Sequence, residues 1–157
     1  MSEAAPWPVQ ALRRALPFFV AAAVAVTAGG VLAAATASVT TQKLAWATAY
    51  VVLVGGVAQA GLGAGMGWLA QRAGMRMAWI GFVLFNAGNI GVLAGQLAGI
   101  IALTFAGGAL LVAALVVIVV ATRGGGRRHP VLLWGFRAIV VILAVSIPIG
   151  LLLALRP

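Results

Sequence analysis

The sequence has no cysteine, a single histidine (His129) and a single acidic residue (Glu3) among its 157 residues. Without thiols there is no disulfide and no thiolate nucleophile. One histidine and no cysteine cannot build a zinc or iron–sulfur site within one chain, and a loop histidine alone cannot supply two axial ligands to haem. One carboxylate leaves no acid–base pair for hydrolysis. No histidine or intramembrane acid stands near Ser2, Ser38 or Ser146 to activate a hydroxyl. The inventory points away from an enzyme and calls for no metal.

Charge is scarce as well. Charged residues make up 7% of the chain against 64% hydrophobic, where a soluble domain carries about 25% charged residues. Ten Lys or Arg oppose Glu3, for a net charge of +9. These basic residues sit in small groups between long uncharged stretches, which leaves no continuous basic face for nucleic acid. The positive charge is therefore read as topological.

A membrane-spanning helix needs about 20 largely apolar residues, because ~1.5 Å of rise per residue must cover ~30 Å of hydrocarbon. Five stretches qualify, at about residues 17–38, 44–70, 77–96, 100–121 and 131–155. Pro17 suits an opening helical turn, where a missing N–H costs nothing. The third and fourth stretches share one uncharged tract, Met77 to Thr122, divided near Gln96 to Gly99. Short connections predict an all-α antiparallel bundle of five transmembrane helices forming a single membrane domain.

The charges alternate with the spans. Arg13 and Arg14 precede the first, Arg72 and Arg76 separate the second and third, and Arg123, Arg127, Arg128 and Arg137 flank the start of the fifth. Lys43 and Arg156 fall on the opposite side. Since cytoplasmic loops retain Lys and Arg, the N-terminus is expected in the cytoplasm and the C-terminus outside, in a bacterial cytoplasmic membrane. Trp7, Trp46, Trp68, Trp79 and Trp134 all lie near span ends, where indole prefers the headgroup level. Arg13-Arg14, the apolar run and Ala35-Thr36-Ala37 imitate a signal peptide, but the run exceeds the ~7–15 residues of a typical hydrophobic region, so a retained helix is expected.

Within the spans, small residues recur at four-residue spacing: Gly61 and Gly65, Gly63 and Gly67, then Gly91, Gly95 and Gly99. In lipid, close backbone approach of this GxxxG kind holds helices together. The faces serve either packing within the chain or association with another copy or a larger membrane complex. Asn86 and Asn89 share a helix face, with Gln59 at comparable depth in the neighbouring span. An unsatisfied amide in hydrocarbon costs several kcal/mol, so these must meet other helices, a ligand or trapped water. Interhelical bonding is the plainer reading, and a polar pathway for a small solute is the sharper one. Pro148 removes a hydrogen bond to Ala144 inside the fifth span and predicts a kink or hinge. Met66, Met75 and Met77 cluster without His or Cys and read as packing.

The segment Tyr50-Val-Val-Leu-Val-Gly-Gly-Val-Ala-Gln-Ala-Gly-Leu-Gly63 resembles a pattern in small membrane proteins related to the catalytic subunit of haem-copper oxidases. Those segments carry a haem-ligating histidine followed by glycine, glutamine and glycine at the offsets of Gly55, Gln59 and Gly63. Ala78-Trp-Ile-Gly-Phe-Val-Leu-Phe-Asn-Ala-Gly88 and Phe105-Ala-Gly-Gly-Ala-Leu-Leu111 resemble that family's next two spans, so the likeness covers about Tyr50 to Val120. Tyr50 stands where the family has its histidine. The resemblance implies a related scaffold that holds haem, a quinone or a lipid between helices, with Tyr50 as the contacting residue.

Three functions follow as expectations. The first is a non-catalytic bundle, self-associating or accessory to a larger membrane complex through its glycine faces. The second is a small channel or carrier using Asn86, Asn89 and Gln59. The third is a degenerate oxidase-like protein binding haem, quinone or lipid.

Overall fold

A computed structural model describes residues 7–39, 41–70, 73–123 and 130–153. Glu3, Arg72, Arg127, Arg128, His129 and Arg156 lie outside the described residues. Five helices follow one another: α1 (Trp7–Thr36), α2 (Gln42–Leu69), α3 (Met75–Ala98), α4 (Ile101–Thr122) and α5 (Pro130–Leu153). There is no strand among the described residues, and all five helices are long and apolar enough to cross a membrane. The molecule is an all-α polytopic membrane bundle.

Two side chains fix which helix ends lie together. Arg14, in the opening part of α1, donates to the carbonyls of Ala73 (3.0 Å) and Gly67 (3.3 Å), tying α1 to the end of α2 and the connection into α3. Lys43, in the first turn of α2, donates to the carbonyl of Leu97 (2.9 Å) in the last turn of α3. One end of the bundle thus carries Arg13, Arg14, Arg76 and Arg123, and the other carries Lys43. Trp46 marks the lysine end, while Trp68, Trp79 and Trp134 lie toward the arginine end.

The first helix begins ten residues before the expected start. Pro17 lies inside α1 and not in its opening turn. The extra turns bury Ala11, Arg14 and Ala15 on the face that continues through Phe18 and Ala22, and this packing outweighs the hydrogen bond that Pro17 removes. The span ends from 36 to 130 lie within about two residues of expectation, the uncertainty of any helix boundary, and the expected end of the fifth span near residue 155 lies outside the described residues. The third and fourth spans divide at Gly99, whose φ of 71° is left-handed. Its N–H and that of Ile100 both return to the Gly95 carbonyl, closing α3 with a turn that suits glycine. Gly99 is therefore the turn residue. Its place in the packing stripe with Gly91 and Gly95 is corrected, because the helix ends before it and a Cβ there would meet nothing within 4 Å.

The helix α2 is continuous but not uniformly α-helical. It widens to π-helical turns over Val51–Ala58 and again over Gly65–Leu69. Outward rows such as Val20, Val24 and Val31 on α1, and Val141, Ile142 and Val145 on α5, are exposed and apolar. That is the surface a lipid solvent accepts. Pro148 sits within α5 and is itself exposed.

Candidate functional site

The glycines of α2 face two ways. A Cβ on Gly61 would strike Ile139, and one on Gly65 would strike Phe136, both on α5. A Cβ on Gly63 would lie 2.6 Å from Phe18 Cβ, and one on Gly67 would lie 2.9 Å from the Ala11 carbonyl oxygen, both on α1. The two four-residue pairs thus seat α2 between α1 and α5. On α3, a Cβ on Gly91 would lie 3.0 Å from Gly107 Cα, and one on Gly95 would meet Thr104, so α3 and α4 touch backbone to backbone. Gly61, Gly63, Gly65, Gly67, Gly91 and Gly95 are all covered by this chain's own helices, the arrangement that close van der Waals packing in lipid favours.

The intramembrane amides also meet one another. Gln59, 1% exposed, donates from Nε2 to Asn86 Oδ1 (3.3 Å), and Asn86 Nδ2 donates to the Phe82 carbonyl one turn back (2.9 Å). The Tyr50 hydroxyl donates to Asn89 Oδ1 (2.7 Å). These pairs join α2 to α3 across the interior. Asn89 Nδ2 is buried without a partner. Turning that amide over would let Nδ2 donate to the Tyr50 oxygen and leave the phenolic O–H free to donate elsewhere.

Tyr50 lines a cavity of about 740 Å³, within the range of ~300–1,000 Å³ typical of small-molecule sites. Its walls are helix faces at regular spacing: Lys43, Trp46, Tyr50 and Val54 on α2, Phe85, Val92 and Gln96 on α3, and Thr104, Gly108 and Leu111 on α4. Leu143, Ser146, Ile147 and Gly150 on α5 complete it. Where α2 and α5 meet at Gly61 and Gly65 the bundle is shut, and toward the lysine end the space between them is the cavity. Thr41, Gln42, Lys43 and Gln96 form a polar mouth, with Val54, Phe85, Leu111 and Leu143 at the apolar floor. The Trp46 and Tyr50 rings lean together with centroids 5.2 Å apart, stiffening the α2 wall. Gln59, Asn86 and Asn89 do not line this cavity. Asn86 borders instead an outer groove between α1 and α3, alongside Arg13, Val20 and Trp79.

The residues around Tyr50 do not fit haem. Its hydroxyl is engaged as a donor with an amide, and among the described residues no imidazole, thiolate or thioether lines the cavity to offer an axial ligand. Met66 is buried in the core and Met75 is exposed.

No family model matches the chain, and no curated protein or solved structure matches it.

Two residues were legible in the sequence as charges but not as contacts. Arg14 is only 5% exposed and binds two carbonyls at the end of α2, with Nε left unpartnered. Its helical register with Ala11, Ala15 and Phe18 was the available signal. Lys43 is the one cation at its end of the bundle among the described residues, and its separation from the arginine groups was the available signal.

Proposed function

We propose that this protein is a non-catalytic polytopic membrane bundle that holds one amphiphilic molecule of the bilayer in the cleft between α2 and α5, in a bacterial cytoplasmic membrane. The observation that carries this reading is the cavity itself, polar at the mouth around Lys43 and apolar at the floor around Phe85 and Leu111. Such a gradient matches a lipid or quinone-like molecule, with its head at the interface and its tail toward the midplane. Tyr50 supplies a hydroxyl part-way down. The arginine-rich end is placed in the cytoplasm on charge. Association with a second copy or a larger membrane complex would use the outward rows of α1 and α5, because the glycine faces are covered.

Native mass spectrometry of protein extracted gently in a neutral detergent tests this reading. A retained small-molecule adduct is expected, without colour. A side chain at Gly150 would enter open space beside the cavity, so Gly150→Phe is expected to displace the adduct while the bundle stays folded. Wild-type protein that carries no adduct under extraction mild enough to keep other lipids bound would contradict it.

A further inference from the structure

We infer that the cavity selects a single-chain amphiphile with an anionic head, a carboxylate or a phosphate monoester, which the Lys43 ammonium and the first turn of α2 receive at the mouth. This inference rests on the cavity reading above and adds the chemistry of the occupant. Three observations carry it. An ammonium has three donors, and Lys43 commits one to the Leu97 carbonyl, which holds the nitrogen at the rim with two donors left. Thr41, Gln42 and Lys43 line the same mouth. Thr41 caps α2 through Leu44 N–H, and the first N–H groups of a helix have no carbonyl within it, so they add positive potential at this point. No acidic residue occurs among the described residues, since the chain's one acid is Glu3. Among the described residues, therefore, no carboxylate stands at the mouth to repel an anion or pair with Lys43.

The depth fixes the tail. From Lys43 to Val54 the α2 wall runs eleven residues, or about 16 Å at ~1.5 Å per residue. That is close to half of a ~30 Å hydrocarbon core, the reach of one chain in one leaflet. Phe85, Leu111, Leu143 and Ile147 close the far end with apolar surface. A tail of this length, anchored by its head at Lys43, ends near Val54, about 10 Å short of the level where α5 returns to α2 at Ile139 and Gly61.

The test uses Trp46, which lines the cavity one turn below Lys43. Full-length protein in neutral-detergent micelles is titrated with dibromostearic acid, its methyl ester and the corresponding brominated amine, and tryptophan quenching is followed. The acid is expected to quench saturably, with that component lost in Trp46→Phe. The half-saturating concentration is expected to rise about tenfold in Lys43→Gln, and the ester to bind about tenfold more weakly than the acid and to ignore Lys43→Gln. Competition by unbrominated palmitate and by hexadecyl phosphate then tells a carboxylate from a phosphate head. Equal saturation by acid, ester and amine, or an unchanged half-point in Lys43→Gln, would overturn anion selection and leave the cavity standing. Quenching that never saturates with any of the three would overturn the cavity reading as well.

Discussion

The two ends of this bundle are latched alike but packed differently. At each end one cation holds a carbonyl of a neighbouring helix end, Arg14 on Gly67 and Ala73, Lys43 on Leu97. At the arginine end, Gly61 and Gly65 let α5 rest on α2, and Gly63 and Gly67 let α1 do the same. At the lysine end α2 offers Lys43, Trp46, Tyr50 and Val54 in place of glycines, and the cavity lies between them and α5. The difference teaches that side-chain size along one helix face sets where a membrane bundle seals and where it opens, since lipid supplies little hydrophobic drive to close a gap.

The comparison breaks most severely if a sealed seam is forced apart. A Cβ on Gly107 would strike the Val92 amide nitrogen and lie 2.7 Å from the Gly88 carbonyl oxygen, contacts with backbone that no rotamer relieves. Gly107→Leu is expected to destabilise the bundle by about 3 kcal/mol or more, measured as a lowered thermal midpoint in detergent. An unchanged midpoint would mean that α3 and α4 are not in backbone contact.

A smaller effect distinguishes the two latches. Arg14→Met leaves buried carbonyls unpaired and is expected to cost about 1–3 kcal/mol, whereas Lys43→Met, at an exposed end where water replaces the donor, is expected to cost under about 1 kcal/mol. Equal losses from both would contradict the assignment of a closed and an open end. The smallest effect belongs to Gly150→Phe, where a Cβ meets nothing within 4 Å. Its midpoint is expected to stay within about 0.5 kcal/mol of wild type, and a large loss would show that the cavity is narrower than described.

Much of the fold was legible before the structure, because hydropathy, arginine placement and tryptophan position are consequences of one solvent boundary. The division of the uncharged tract was legible only as the stretch Gln96 to Gly99, and that the turn falls on Gly99 itself was not, since its spacing from Gly95 reads equally as a packing stripe. The early start of α1 was not legible, since Pro17 is a local signal and the burial of Ala11, Ala15 and Phe18 is a tertiary one. Of the site, Gln59, Asn86, Asn89 and Tyr50 could be named from the sequence as polar groups within the spans. Their pairing, Tyr50 with Asn89 and Gln59 with Asn86, depends on helix rotation and on the π-helical turns of Val51–Ala58, which the residues do not announce. The cavity was illegible for the same reason. It is made by four helix faces, none of which is unusual alone.

The chain contains no cysteine, so engineered pairs report the spacing of α2 and α5 without background. A disulfide requires Cβ atoms about 3.5–4.5 Å apart. Gly61→Cys with Ile139→Cys, at the seam, is expected to cross-link under mild oxidation in membranes. Val54→Cys with Ile147→Cys, on opposing walls of the cavity, is expected to stay reduced and to be bridged only by a longer bifunctional maleimide. Disulfide formation at comparable rates in both pairs would place α5 flush against α2 along its length and contradict the open lysine end.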